Sequence, residues 1–286
     1  MEVWGGSRAF DQSVSSPGND VRISCTPFRG EASGGDIYYV SNCAAGIITR
    51  FVLADVSGHG EQVAQVADDL RKLMRRHINT ADQSRFALEL NRAFSRLDLD
   101  GKFATAVFAT YFAPTDHLII CNAGHPRPLL YRAAQNAWDL LDAKAPGTLA
   151  AGQSGDAVGI ANLPLGILDP TEYEQFALRM ERGDRVVLYT DALIEAADSE
   201  GRQLGETGLL DLARGLLPAE REDAARALRE RVSAYADHLP FNDDATLIVL
   251  HHNAADPPRL SWRGYAASLA KMLGIGAVES GPGIEG

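Results

Sequence analysis

Five aspartates lie where apolar segments of the sequence begin or end, an uncommon place for charged side chains. Asp36 follows two glycines and opens one apolar segment, and Asp55 lies near the end of the next. Asp191 follows Leu-Tyr-Thr, whereas Asp243 and Asp244 precede Ala-Thr-Leu-Ile-Val. Each aspartate could simply cap a turn, because Asp is favoured where strands give way to loops. The alternative is that the folded chain brings their carboxylates to one place.

Carboxylates gathered at one place would form a cation site. Like charges raise one another's pKa and destabilise a fold unless cations neutralise them. Ligands that are all oxygen atoms suit Mg²⁺, Mn²⁺ or Ca²⁺, and the sequence has no His/Cys spacing typical of zinc. Two divalent ions held by three aspartates keep about one positive charge in excess, which lowers the pKa of a bridging water and attracts a phosphate dianion. This chemistry predicts a hydrolase of phosphate esters.

Hydrophobic patterning predicts the elements that position these acids. Short apolar runs between turn residues predict strands. The predicted strands cover 36–40, 46–56, 103–112, 117–121, 128–132, 173–180, 185–190 and 244–251. Apolar residues three and four positions apart predict amphipathic helices over 61–78, 83–97, 208–216 and 219–236.

The order of these elements predicts the fold class. Helices follow strands in pairs rather than one per strand, which is typical of an α+β protein and disfavours a doubly wound parallel sheet. Two antiparallel sheets packed face to face, with helices on the outer face of each, would bury every apolar face. The predicted architecture is therefore a four-layer α-β-β-α sandwich.

The same patterns divide the chain into one large domain and two terminal segments. Residues 1–33 are rich in Gly, Pro, Ser and Asn and are predicted to be irregular. The catalytic domain is predicted over 34–252, with a mobile surface segment at 143–162. Residues 253–286 are predicted to form a partly flexible tail with a short helix near 262–273.

Composition excludes several classes of function. Of 286 residues, 45% are hydrophobic and 23% charged, as in ordinary globular proteins. The formal net charge of -11 disfavours nucleic acids and anionic membrane surfaces as partners. The sequence contains neither a secretory signal nor a run of about 18 apolar residues, so we expect a cytoplasmic protein without membrane contact. Three scattered cysteines predict buried thiols rather than disulfides.

Seven short motifs together resemble one protein family. They are Gly34-Gly35-Asp36, Ala54-Asp55-Val56-Ser57-Gly58-His59-Gly60, Phe103-Ala104-Thr105-Ala106, Asn122-Ala123-Gly124-His125-Pro126, Pro164-Leu165-Gly166, Tyr189-Thr190-Asp191-Ala192 and Asp243-Asp244-Ala245-Thr246. In this order they resemble the bacterial metal-dependent protein phosphatases of the PPM (PP2C-like) superfamily. The resemblance is to the branch that contains the stage II sporulation phosphatase and the phosphatases that regulate sigma factors. Each motif alone is weak, whereas seven in the right order are specific.

The resemblance implies a site with two Mn²⁺ or Mg²⁺ ions between the sheets. In such a site Asp55 bridges both metals and the backbone carbonyl of Val56 contributes to one of them. Asp191 and Asp243 complete the inner ligands. The ions would activate a hydroxide that attacks phosphorus directly, without a phosphoenzyme.

The resemblance also bears on residues outside the inner ligands. Asp36 is expected to hold a metal-bound water, and Asp244 is expected to support the strand end that carries the neighbouring ligand. Where eukaryotic relatives have a candidate general-acid His, this chain has Ser57, and we do not transfer that role to His59. We interpret both His59 and His125 as structural residues of Gly-containing turns.

The resemblance also implies a substrate and forms of regulation. The expected substrate is a phosphorylated STAS-domain anti-sigma-factor antagonist. Too few residues precede the first motif for a folded sensor, so regulation is expected from a separate activator protein, from a homodimer, or from metal and substrate supply. The helix over 61–78 is the candidate switch. Two alternatives remain open, a non-catalytic pseudophosphatase that binds phosphoproteins and a hydrolase of small phosphate esters.

Overall fold

The computed structural model describes residues 2–43, 47–58, 61–78, 80–97, 101–151 and 161–255. The strands of these residues are β1 (Glu2–Gly6), β2 (Phe10–Ser16), β3 (Asn19–Thr26), β4 (Asp36–Cys43), β5 (Ile48–Val56), β6 (Ala104–Phe112), β7 (His117–Ala123), β8 (Leu129–Arg132), β9 (Ala137–Leu140), β10 (Thr148–Ala151), β11 (Gln175–Arg179), β12 (Arg185–Tyr189) and β13 (Ala245–His252). The helices are α1 (Glu61–His77), α2 (Gln83–Phe94), α3 (Ala192–Glu195), α4 (Gly205–Arg214), α5 (Pro218–Arg221) and α6 (Ala224–Tyr235).

The strands form two antiparallel sheets. Sheet A has seven strands in the order β1-β4-β5-β6-β7-β11-β10, and sheet B has six in the order β2-β3-β13-β12-β8-β9. Neighbouring strands run antiparallel throughout both sheets. The two antiparallel sheets predicted from the sequence are therefore confirmed.

Side-chain alternation along the strands builds the layers. In β5, Phe51 and Leu53 belong to the core between the two sheets, whereas Val52 and Ala54 pack with α1 and α2. In sheet B, Leu188 faces the core between the sheets and Val187 packs with α4 and α6. Each sheet thus buries one face against the other sheet and one against helices, which confirms the α-β-β-α order.

The prediction that residues 1–33 are irregular is wrong. They form β1, β2 and β3, and β3 pairs with β13 inside sheet B. Val21, Ile23 and Cys25 alternate into the core between the sheets, while polar residues between them face outward. Gly18 makes the hairpin turn with φ of 81°, and the Tyr111 hydroxyl group leaves no room for a side chain there. The polar outward positions and the turn residues conceal this alternation in the sequence.

The segment 143–162 also contains structure that the sequence did not predict. Thr148–Ala151 pairs with β11 and forms the edge of sheet A, and residues 152–160 lie outside the described part of the chain. Such a short edge strand leaves little periodic signal in the sequence. Most of the predicted tail, with its helix near 262–273, also lies outside the described residues.

The helices agree with the predicted positions, except near the second helix pair. The region predicted as one helix over 219–236 is divided into α5 and α6, because Asp223 caps α6 by accepting a hydrogen bond of 3.3 Å from the Arg226 backbone N–H. The short helix α3 and strand β9 were not predicted. Among the described residues, no helix combines the length and apolar character that a membrane crossing requires.

Candidate metal centre

The strands bring the predicted acids to one end of the space between the sheets. Asp36 and Asp55 are direct partners in the antiparallel pair of β4 and β5, and strand alternation turns both side chains toward sheet B. In sheet B, Asp191 follows the end of β12, and Asp243 and Asp244 precede the start of β13. These two strands are antiparallel neighbours, so the end of one lies beside the start of the other.

A buried hydrogen bond connects the two sheets at this end. The Thr190 hydroxyl group donates to Asp36 Oδ2 at 2.9 Å, and its oxygen accepts a bond of 3.0 Å from the Thr246 backbone N–H. Asp36 is only 1% exposed. Burial raises the pKa of its carboxyl well above the usual range, and the charge of Asp55 raises it further. Asp36 is therefore fixed in position beside the space that the other acids surround.

Asp55 is an acid of sheet A on which the charges of the sheet B acids act. Burial raises its pKa to about 8, with further contributions from the charges of Asp191, Asp243, Asp244 and Glu195. Burial also raises the pKa of Asp191, again with a contribution from Glu195. The acids of both sheets thus act on one another across the end of the sandwich. This is the charge distribution that a bound cation stabilises.

Asp244 holds the loop before β4. Its Oδ1 accepts a hydrogen bond of 2.6 Å from the Phe28 backbone N–H, and its Oδ2 accepts from the backbone N–H groups of Gly35 at 2.5 Å and Asp36 at 3.4 Å. The Asp244 backbone N–H in turn donates to Asp243 Oδ1 at 2.8 Å. Asp244 therefore anchors the start of β4 to the start of β13, which agrees with the supporting role expected from the sequence.

Two glycines allow this close approach. A side chain on Gly34 would collide with the Asp244 carboxylate. A Cβ atom on Gly35 would lie 2.9 Å from the backbone carbonyl oxygen of Val56, the carbonyl that was predicted to bind a metal. The Gly-Gly-Asp motif thus exists because two strand ends and a carboxylate pack directly against its backbone.

The donor set fits a hard divalent cation. Among the described residues, no group of three or more His, Cys, Asp or Glu side chains is close enough together to hold an ion. The acids are nevertheless near enough to raise the pKa of Asp55, and every candidate donor is an oxygen atom. Mg²⁺ and Mn²⁺ prefer such donors, and binding them would remove the repulsion between the acids.

A family comparison identifies the chain. The model of the stage II sporulation protein E (SpoIIE) family matches residues 48–253. The chain belongs to the SpoIIE family. This match confirms the resemblance found in the seven motifs, and it includes the candidate ligands in β5, after β12 and before β13.

Individual relatives support the same assignment. The phosphoserine phosphatase RsbU of Bacillus subtilis is 25% identical over 217 residues, which are 76% of this chain and 58% of RsbU. The RsbU and RsbW domains of Rv1364c from Mycobacterium tuberculosis superpose with a TM-score of 0.68 at 24% identity, covering 93% of this chain and 71% of that one. The PP2C phosphatase domain of SpoIIE from Bacillus subtilis superposes with a TM-score of 0.64 at 15% identity, covering 85% and 70%. The chain spans less than two thirds of RsbU, and the two structures show that the fold is shared.

This SpoIIE-family chain differs from the eukaryotic pattern in the loop after β5. Ser57 stands where a general-acid His was considered, and its Oγ accepts a hydrogen bond of 3.0 Å from the Phe103 backbone N–H. The Ser57 backbone N–H donates to the Phe103 carbonyl at 2.9 Å. Ser57 therefore fastens this loop to the chain before β6. His59 lies outside the described residues, so its predicted structural role stays a prediction.

Sequence reasoning missed three residues beside the acids. Thr190 bonds to Asp36, Glu195 raises the pKa of two of the acids, and Thr105 is the cross-strand partner of Asp55. Both threonines stand within the motifs of the resemblance. Counting alternate positions from the apolar residues of β6 and β12 places them on the same face as the acids, and this signal could have identified them.

Proposed function

We propose that this chain is a metal-dependent protein phosphatase that hydrolyses phosphoserine and phosphothreonine. The observation that carries the proposal is the place of Asp55 in sheet A opposite the strand ends of sheet B that carry Asp191 and Asp243, whose charges add to burial in raising its pKa. A protein places several carboxylates in a buried cluster of this kind where cations balance their charge. Membership of the SpoIIE family and the similarity to a phosphoserine phosphatase support the same reaction.

The proposal assigns two Mn²⁺ or Mg²⁺ ions to the predicted residues. The Asp55, Asp191 and Asp243 carboxylates and the Val56 backbone carbonyl would hold the ions. When bound, such ions supply positive charge that attracts a phosphate monoester and lowers the pKa of water. Asp36 is held by Thr190 and is suited to accept a hydrogen bond from a water in the site.

The proposed substrate is a phosphorylated STAS-domain anti-sigma-factor antagonist. The resemblance to sigma-factor phosphatases supports this choice, and so does the fold shared with the RsbU and RsbW domains from Mycobacterium tuberculosis. The proposal places the reaction in the cytoplasm and includes a separate activator protein or a homodimer as the source of regulation. The net charge of -11 favours partners that present basic surface next to the phosphorylated residue.

Phosphate release tests the proposal. We would assay p-nitrophenyl phosphate and a phosphoserine STAS protein with Mn²⁺, Mg²⁺ or EDTA, using the wild type and Asp191→Asn. Glu222→Gln serves as the control, because Glu222 is an exposed acid that pairs with Arg185. We expect metal-dependent turnover in the wild type and the control, and its loss in Asp191→Asn and in EDTA.

Other outcomes separate the alternatives. A folded wild type that binds the phosphoserine protein and two ions without turnover would support the pseudophosphatase. Hydrolysis of small esters or nucleotides with no activity toward phosphoproteins would support the hydrolase of small phosphate esters. Activity that persists in EDTA and in Asp191→Asn would contradict the metal assignment altogether.

A further inference from the structure

His125 is a buried side chain that the proposed reaction does not use. It stands in the turn after β7, and only 6% of it is exposed. The Asn122 side chain holds its backbone from both sides: Oδ1 accepts from the His125 N–H at 2.7 Å, and Nδ2 donates to the His125 carbonyl at 2.9 Å. Gly124 precedes it with φ of 69° and packs against Pro164, so a larger residue has no room there. The position of the imidazole ring is therefore fixed by the turn itself.

One ring nitrogen contacts the candidate metal site. His125 Nδ1 lies 2.8 Å from the Thr105 hydroxyl oxygen. Thr105 is the direct cross-strand partner of Asp55, so the two side chains leave the same face of sheet A. A threonine has few favourable χ1 rotamers, and a hydrogen bond to its hydroxyl group selects one of them. The bond to His125 therefore fixes which branch of Thr105 faces the Asp55 carboxylate.

The other side of the ring faces sheet B. His125 Nε2 is buried and has no hydrogen-bond partner among the residues that the structure describes. The backbone of Tyr189, two residues before Asp191, raises the pKa of the ring, whereas burial lowers it. Burial dominates and lowers the pKa of His125 to about 3, so the ring is neutral at physiological pH. A neutral ring in this place is unsuited to donate a proton as an imidazolium ion, and its contacts with the two sheets indicate a positioning role.

We propose that His125 is a positioning residue that sets the metal affinity of the site by fixing Thr105 beside Asp55 and by spacing this end of sheet A from the β12 end of sheet B. This inference rests on the proposed metal-dependent function and deepens it. Residues that orient metal ligands from outside the inner sphere change metal affinity by about 10- to 100-fold when they are replaced. We expect a change in metal affinity of similar size when the hydrogen bond between His125 and Thr105 is removed.

Metal titration of folded variants tests this role. We would measure Mn²⁺ affinity by calorimetry for the wild type, Thr105→Val, Thr105→Ser, His125→Leu and His125→Asn. Thr105→Val keeps the shape and removes the hydroxyl group, and we expect affinity to fall about tenfold. His125→Leu should lower the affinity to a similar degree. Thr105→Ser and His125→Asn retain a polar group for the shared hydrogen bond and should stay within about threefold of the wild type.

A matched control comes from the same strand. Thr110 is also buried in β6, and its hydroxyl group has no hydrogen-bond partner in the described part of the chain, so Thr110→Val removes a hydroxyl group without breaking a described bond. We expect unchanged Mn²⁺ affinity in this variant. Melting curves without metal check that the Thr105 and His125 variants are folded at the titration temperature.

The outcomes distinguish this inference from the proposed function. Wild-type affinity in folded Thr105→Val and His125→Leu would overturn the positioning role and leave the phosphatase proposal intact. Equal loss of affinity in Thr105→Val and Thr105→Ser would also overturn it, because the hydroxyl group would then be irrelevant. A wild type that binds neither Mn²⁺ nor Mg²⁺ would overturn both proposals.

Discussion

At Asp55, folding and ionisation oppose each other as long as no cation is bound. The pKa of an aspartate in an unfolded chain is about 3.9, and burial with neighbouring acids raises it to about 8 in the folded protein. The folded state therefore binds a proton that the unfolded state releases. By linkage, the contribution of Asp55 to the free energy of unfolding is fully present below about pH 4 and is lost as the pH rises through about 8. The proposed metal ions would restore that stability at neutral pH.

This balance predicts an unusual result for Asp55→Asn. Removing the ionisable group should stabilise the metal-free protein at pH 8 by up to about 5 kcal/mol, while the difference from the wild type should vanish near pH 4. The same variant should lose both turnover and the stabilisation that Mn²⁺ gives. Urea unfolding at several pH values measures the first effect, and phosphate release measures the second. If the metal-free variant were less stable than the wild type at pH 8, the ionised Asp55 would not destabilise the folded protein.

Asp244 differs from Asp55, because backbone donors surround its carboxylate. Asp244→Asn places an amide NH₂ group against the N–H groups of Phe28 or Gly35, so at least one buried donor loses its acceptor. We expect a loss of about 1 to 3 kcal/mol in the free energy of unfolding, with or without metal. Glu222→Gln is the exposed control and should change little. Stability equal to the wild type in Asp244→Asn would mean that these hydrogen bonds do not anchor β4.

Among the elements, α2 and the loop 164–168 are connected through one side chain. Asn91 is fully buried and bonds to the Gly166 N–H and the Leu168 carbonyl, both at 2.9 Å. The loop in turn bonds through Leu165 to Ala104 at the start of β6, beside the candidate site. The Pro-Leu-Gly motif of the sequence is thus a structural connection between a helix and the end of a strand.

Replacement of Asn91 tests this connection. Asn91→Leu keeps a similar volume and leaves the two backbone groups of the loop unpaired, so we expect a loss of about 2 kcal/mol in the free energy of unfolding. Hydrogen exchange of the Gly166 amide should become faster. Arg92→Gln on the same helix is the control, since its ion pair with Asp169 is long, at 3.7 Å, and half exposed. Unchanged exchange in Asn91→Leu would show that the loop is held by other contacts.

The sequence predicts those elements whose pattern is strong. The apolar residues of β5 and the stripe of α1 are unmistakable, and both elements were predicted within a few residues. β3 was missed because the Gly-, Pro-, Ser- and Asn-rich composition of residues 1–33 outweighs the three alternating apolar residues Val21, Ile23 and Cys25. The same patterns place Asp36, Asp55, Asp191, Asp243 and Asp244 at or beside strand ends, whereas their roles at a metal site stay predictions. The contact between Thr105 and His125 joins residues 20 positions apart, and only the register of β5 and β6 makes it visible.

For the whole molecule, the N-terminal strands decide where the domain begins. β3 pairs with β13 along eight residues and lies between it and β2 in sheet B. A fragment of residues 34–252, the domain predicted from the sequence, would expose the edge of β13 and the core behind it. We expect this fragment to aggregate or to lack cooperative unfolding, whereas residues 2–255 should fold. Circular dichroism and gel filtration distinguish the two, and a folded, monomeric 34–252 fragment would show that β3 is dispensable.

The candidate site also connects the two halves of the sandwich, since Asp55 belongs to sheet A while Asp191 and Asp243 belong to sheet B. Ions held by acids of both sheets bind only the folded protein, so they should stabilise it as a whole. At 100 times the dissociation constant, one site contributes about 2.7 kcal/mol, which for a chain of this size raises Tm by about 5 to 10 °C. We therefore expect Mn²⁺ to raise the melting temperature of the wild type and of Glu222→Gln, and EDTA to reverse the effect. Asp191→Asn removes one of the proposed ligands and should show a much smaller rise. An equal rise in Asp191→Asn would place the stabilising ion elsewhere on the molecule and separate metal binding from the junction of the two sheets.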